Sequence, residues 1–134
     1  MYDALLAETT TISGAGGDSI EAYLARTMTA GPVGGVVVIH HLPGYDAATK
    51  GIVRRFADAG YNAIMPNLFH REAPGAAPDD AYATVRAQGG VPDDRVVADI
   101  AAARDHLRSL TNSNGKVGVI GFCSGGRQTY LVAC

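Results

Sequence analysis

Residues 115–126, Gly-Lys-Val-Gly-Val-Ile-Gly-Phe-Cys-Ser-Gly-Gly, decide how this chain is read. Lys116 to Gly121 is a short, largely apolar run of the kind that forms a strand buried on both faces. Gly121-Phe122-Cys123-Ser124-Gly125 then gives the spacing G-x-C-x-G, a nucleophile elbow with cysteine in place of serine. The spacing has a steric cause. A nucleophile on a strained strand-to-helix turn needs small neighbours, and glycines two before and two after it remove the side chains that would collide. The thiol is then held at a helix N-terminus, where amides and dipole raise its thiolate fraction. The amide of Ser124 can donate to an oxyanion. Taken alone, the five residues also fit a buried cysteine before a glycine-rich turn. The strand before them and the helix after them favour Cys123 as a nucleophile.

Two rival readings of this stretch fail. Neither glycine-rich phosphate-loop pattern occurs, and no lysine follows the glycines. Cys134 lies eleven residues beyond Cys123 on the same predicted helix. That is roughly 16 Å at 1.5 Å per residue, whereas a disulfide needs Cα atoms within ~7 Å.

Working outward, Gly35 to His40 (GVVVIH) predicts a second buried strand. Ala47 to Ala59 predicts a helix with Ile52, Phe56 and Ala59 on its apolar side, ended by Gly60. Tyr61 to Met65 is the next strand, stopped by Pro66. Together these make a β-α-β unit. Upstream, Glu8 to Ser13 and Ile20 to Arg26 flank a glycine-rich turn and read as a hairpin. Downstream, Asn67 to Pro92 is weakly patterned, with a short helix expected near Asp79 to Ala87. Pro92-Asp93-Asp94 opens a helix to about Leu110, its stripe formed by Val96, Val97, Ile100, Ala103 and Leu107. Asn112 to Gly115 reads as a turn. The order predicts an α/β fold with a mainly parallel sheet, helices on both faces and an N-terminal hairpin.

Composition sets the outer bounds. The 134 residues make one domain's worth of chain. Eleven basic and thirteen acidic residues give a net charge of −2, which argues against nucleic acid and anionic membranes as partners. No apolar run approaches the ~20 residues that span a bilayer, and the first residues, MYDALLAETT, lack the basic start of a signal peptide. A cytoplasmic location is the resulting expectation.

Three blocks, VVVIHHLPGYD (36–46), GYNAIMPNLFHREAPG (60–75) and GKVGVIGFCSGG (115–126), resemble the dienelactone hydrolase (carboxymethylenebutenolidase) family of α/β-hydrolases. The likeness runs from about residue 10 to 134. It implies a three-layer α/β-hydrolase sandwich and hydrolysis of a small ester or lactone through a cysteine, with no cofactor and no metal. Cys123 matches the nucleophile. The amides of Leu42 and Ser124 match the oxyanion hole. Arg71 matches an arginine that binds a substrate carboxylate, a role suited to a planar, always charged guanidinium.

The chain departs from that pattern twice. His41 stands where the family has a glutamate facing the thiol; either a neutral imidazole there takes the thiol proton, or His41 is a loop histidine with no role. The α/β-hydrolase order also puts acid and histidine after the elbow, where this sequence has only about ten residues. His40 falls in a predicted strand, His70 in a loop beside Arg71 that could face the cleft, and His106 on a helix among charges. None fits that order, so residues 1–134 read as a C-terminally truncated, partial α/β-hydrolase domain. A non-catalytic homologue that associates through its open sheet edge, or a thiol sensor, are the alternatives. Oligomeric state and substrate are not encoded in any motif.

Overall fold

The computed structural model of the protein describes residues 5–28, 31–40, 44–122 and 124–133. Five strands and four helices follow one another along them: β1 (Leu5–Ser13), β2 (Ser19–Thr27), β3 (Val33–Ile39), α1 (Ala47–Asp58), β4 (Asn62–Pro66), α2 (Pro78–Ala87), α3 (Asp93–Arg108), β5 (Ser113–Gly121) and α4 (Ser124–Ala133). A single 3-10 turn at Ala15–Gly17 joins the hairpin.

The strands form one sheet in the order β1-β2-β4-β3-β5. The β4-β3-β5 portion is parallel. The hairpin adds two antiparallel pairings, β1 with β2 and β2 with β4, so the sheet is mixed. Alternation along β3 divides the core. Val37 and Ile39 join Leu24, Ile64, Val96, Ile100 and Leu107 on one face. Val38 joins Ala25, Ala63, Met65, Val53 and Ala57 on the other. Helix α1 closes the second face and α2 and α3 the first, giving three layers with parallel strands buried between them. Each fully buried aliphatic side chain contributes roughly 1.5–3 kcal/mol.

Local chemistry explains the element ends. The Asp46 carboxylate caps α1, accepting from the Thr49 amide at 2.8 Å and its hydroxyl at 2.7 Å. At the other end Gly60 takes φ +103°, and the Tyr61 amide reaches back to the Phe56 carbonyl at 3.1 Å, a Schellman closure. Helix α2 opens with Pro78, Asp79 and Asp80, and α3 with Asp93 and Asp94 after Pro92.

Three details differ from the sequence reading. The buried line of α1 is Thr49, Val53 and Ala57, with Ile52 and Phe56 half-buried beside it. On α3, Val97 is exposed, and Asp99 is buried within the stripe. Of the turn expected at 112–115, residues 113–115 lie inside β5. Val33 pairs with Ser113 but Gly35 with Val117, so the strand carries a bulge, with Gly115 at φ +82°.

Candidate active site

The C-terminal ends of β3 and β5 lie side by side, Ile39 pairing with Gly121. Ligands of open α/β sheets bind at this end of the strands. A cavity of about 450 Å³ opens here. His40 and Phe69 form one side, Tyr82, Val85 and Arg86 of α2 a second, and Asp93 with Arg127 and Gln128 of α4's first two turns a third. Cys123, the expected nucleophile, and Leu42 and His41 lie outside the described residues. What can be placed is the frame around them. Gly121 ends the strand before position 123, and Ser124 begins the helix after it. The Ser124 amide is therefore at a helix start, where the first four N–H groups have no intrahelical acceptor.

His40 was not singled out from sequence. It is buried, and its Nε2 accepts the Leu68 amide at 3.1 Å. An accepting Nε2 carries no proton, so the ring is neutral with its hydrogen on Nδ1. Its ring packs edge-on against Phe69, centroids 4.9 Å apart. Gly44 completes this contact. A Cβ there would sit 2.9 Å from the Phe69 ring and 3.7 Å from His40, and the residue has φ +136°. Glycine in the block 36–46 is thus required both by its backbone and by the Phe69–His40 pair. The histidine ties the end of β3 to the turn after β4, holding the chain just before the expected oxyanion residue Leu42.

Arg71 is placed elsewhere. Its Nε donates to Asp18 at 2.8 Å, Nη1 to Asp99 at 2.8 Å, and Nη2 to Asp99 at 3.0 Å and the Ala15 carbonyl at 3.2 Å. Asp99 Oδ1 also accepts the Ala15 amide at 2.7 Å. The guanidinium is held even further above its ordinary range, chiefly by the Asp99 hydrogen bonds. Arg71 does not line the cavity, and a substrate carboxylate could reach its fork only by displacing a fully buried aspartate. The arrangement clamps the hairpin turn onto α3.

Of the remaining histidines, His70 is half-buried with no hydrogen-bond partner on Nδ1 and does not line the cavity. His106 is half-buried on α3 and lines a shallow hollow beside residues 13–16, apart from the cavity. Tyr45, packed under Lys50 at 4.4 Å, has its hydroxyl pushed up by burial and by Glu21, so it stays neutral. Asp93 and Arg127 form a two-bond pair at 3.1 Å on the solvent side of the cavity; the Arg127 hydrogen bond holds the Asp93 carboxyl below the usual carboxylate range. Among the described residues no group of three His, Cys, Asp or Glu could hold a metal ion, and no helix is long and apolar enough to cross a membrane.

Comparison with known proteins extends the geometry. The chain is 33% identical over 129 residues to carboxymethylenebutenolidase from Pseudomonas putida, covering 87% of this chain and 55% of that protein. It superposes on the crystal structure titled "Putative Dienelactone Hydrolase" from Klebsiella pneumoniae with a TM-score of 0.83 at 29% identity, over 98% of this chain and 55% of that one. A dienelactone hydrolase-like promiscuous phosphotriesterase from metagenomic libraries gives a TM-score of 0.78 at 26% identity, over 97% of this chain and 54% of that one. The chain spans about half the length of the relatives it matches. Residues 20–134 match the model of the dienelactone hydrolase family, and the chain belongs to that family.

Proposed function

We propose that the protein hydrolyses ester or lactone bonds of small molecules, with Cys123 as nucleophile. The observation that supports this best is the cavity at the paired ends of β3 and β5, flanked by the first turns of α4 directly after position 123. The Cys123 thiolate attacks the carbonyl carbon, and the electron pair of the C=O bond moves onto oxygen. The amides of Leu42 and Ser124 stabilise that oxyanion. Collapse expels the alcohol oxygen, which takes a proton, and leaves an acyl thioester. Water then attacks, gives up a proton, and releases the acid and the thiol. His41, adjoining Leu42 in sequence, receives the thiol proton in this scheme. The family match spans only about half of each relative. In this proposal the acid and histidine that follow the nucleophile in α/β-hydrolases are supplied from outside residues 1–134, and sequencing past the codon for Cys134 tests it. The coding sequence past that codon should read on into an Asp and then a His.

Cys123→Ala tests the chemistry. Turnover of an activated aryl ester should fall by at least about a thousandfold. Iodoacetamide should label Cys123 faster than Cys134, as a thiolate at a helix start requires. Full turnover in the Cys123→Ala protein would remove the cysteine from the mechanism. Peroxide-sensitive labelling with no ester turnover would favour a thiol sensor instead.

A further inference from the structure

A second cavity, about 420 Å³, lies where β2, the start of α1 and the turn after β4 meet, and none of its lining residues lines the first. Glu21 stands two positions before Tyr23 on β2, so both face the α1 side of the sheet. The Glu21 carbonyl accepts the Asn67 amide at 2.8 Å, which fixes these two residues side by side. The polar groups of this cavity are unanswered among the described residues. Asn67 is 8% exposed, and its Oδ1 accepts the Phe69 amide at 3.1 Å. Its NH2 group is therefore the end left over, and it has no acceptor. The Tyr45 hydroxyl is buried without a hydrogen-bond partner. Glu21 is near enough to keep that hydroxyl protonated, yet no hydrogen bond joins them. The Glu21 carboxylate has no cationic partner. The Lys50 ammonium has no anionic one and rests over the Tyr45 ring at 4.4 Å and the Tyr23 ring at 5.6 Å. Asp46, also in the wall, is engaged in capping α1 through Thr49.

We propose that this cavity binds a small zwitterion, an α-amino acid, with its ammonium on Glu21 and the Tyr45 oxygen and its carboxylate on Lys50 and the Asn67 amide. Two opposite charges line one small space without pairing with each other. A plain anion would answer Lys50 and leave Glu21, and a plain cation would do the reverse. A ligand carrying both charges leaves no remainder, and each contact it makes is a charge-assisted hydrogen bond, roughly twice as strong as a neutral one. The buried Tyr45 hydroxyl and Asn67 NH2 gain the partners that the fold denies them. The site is independent of ester hydrolysis, since none of these residues belongs to the proposed catalytic set.

Calorimetric titration of the protein as its gene encodes it, with each of the protein amino acids in turn, reads the site directly. At least one should bind with a dissociation constant of about a millimolar or tighter. Its α-amide keeps only the positive charge and its N-acetyl form only the negative. Each should bind about ten- to hundredfold more weakly, the range of a charge-assisted hydrogen bond. Glu21→Gln should weaken the amino acid by the same range and leave the N-acetyl form within about twofold. Lys50→Met should weaken the amino acid and leave the α-amide within about twofold. Both substitutions keep the side chain's length at half-buried positions, and an unchanged urea midpoint confirms that each variant is folded. No binding by any amino acid up to about 10 mM, equal binding of the three forms, or an affinity untouched by both variants would overturn the proposal. Heat of binding does not depend on turnover, so an inactive but amino-acid-binding protein would sink the hydrolase reading and leave this site standing.

Discussion

Two arginine–aspartate pairs join distant parts of this chain, and they share their chemistry but not their setting. Arg71 grips Asp99 across the hairpin turn and α3, with side chains 16% and 0% exposed. Arg127 grips Asp93 across α4 and the start of α3, with side chains 64% and 54% exposed. Both use two parallel N–H donors. In water the attraction between two such charges is about 1 kcal/mol and is screened by salt. Out of water the ions are expensive to bury, so each must be fully answered. Asp99 is: it accepts from Arg71 on both oxygens and from the Ala15 amide. The buried pair is consequently a fixed part of the fold, while the exposed pair is a contact the molecule can open beside the cavity.

Removing one member of each pair tests that distinction. Asp99→Ala removes two of the four hydrogen bonds from the Arg71 guanidinium and its buried counter-charge, leaving only Asp18 and the Ala15 carbonyl. Loss of about 3–5 kcal/mol is expected, as for other broken buried pairs, read as a lower urea midpoint at unchanged slope. A cost below about 1 kcal/mol would show that water reaches the clamp and that the two pairs are alike. Gly14→Ala disturbs the same clamp without removing a charge. The new Cβ would lie 2.5 Å from Asp99 Oδ1 and 3.2 Å from Arg71 Nη2. Overpacking of this kind costs about 1–3 kcal/mol, so the variant should fall between the parent and Asp99→Ala. An unchanged midpoint would mean the clamp yields freely.

The sequence carried one of these pairs less clearly than the other. Arg127 follows the elbow glycines and Asp93 opens a helix after a proline, so both could be placed on elements from local signals. Asp99 offered no such signal. It sits between Val96 and Ile100 on a stripe of apolar residues, where periodicity alone would count a charge as an interruption. Its partner is 28 residues away in a weakly patterned loop. Local periodicity also found β3, α1 and α3 but misjudged the rotation of α1 by one position, since Ile52 and Phe56 outweigh Thr49 in apolarity and not in burial. His40 was hidden for a similar reason. Its neutral, accepting state depends on the Leu68 amide brought across from the turn after β4, a contact made only by the folded sheet.

The exposed pair gives the smallest expected effect on stability and the most informative one on binding. Arg127 lowers the Asp93 pKa, so the stabilising contact is fully present above the ordinary carboxylate pKa and is lost as pH falls through the lowered value. At neutral pH the pair is closed. Asp93→Asn removes the carboxylate while both side chains stay solvated, so the urea midpoint should not move measurably. Arg127 then lines the cavity unneutralised beside Arg86, which has no hydrogen-bond or ion-pair partner among the described residues, and the uncancelled charge there rises from one to two. A small anionic aromatic, the mono-methylamide of terephthalic acid, should bind there several-fold more tightly than to the parent at low ionic strength, and the gain should vanish in about 0.5 M salt, where the screening length is a few ångströms. Calorimetry at both salt concentrations checks it. A midpoint shift as large as that of Asp99→Ala would erase the difference between the two pairs. Unchanged anion affinity would mean that Arg127 turns away from the cavity once released, leaving Arg86 to carry the charge alone.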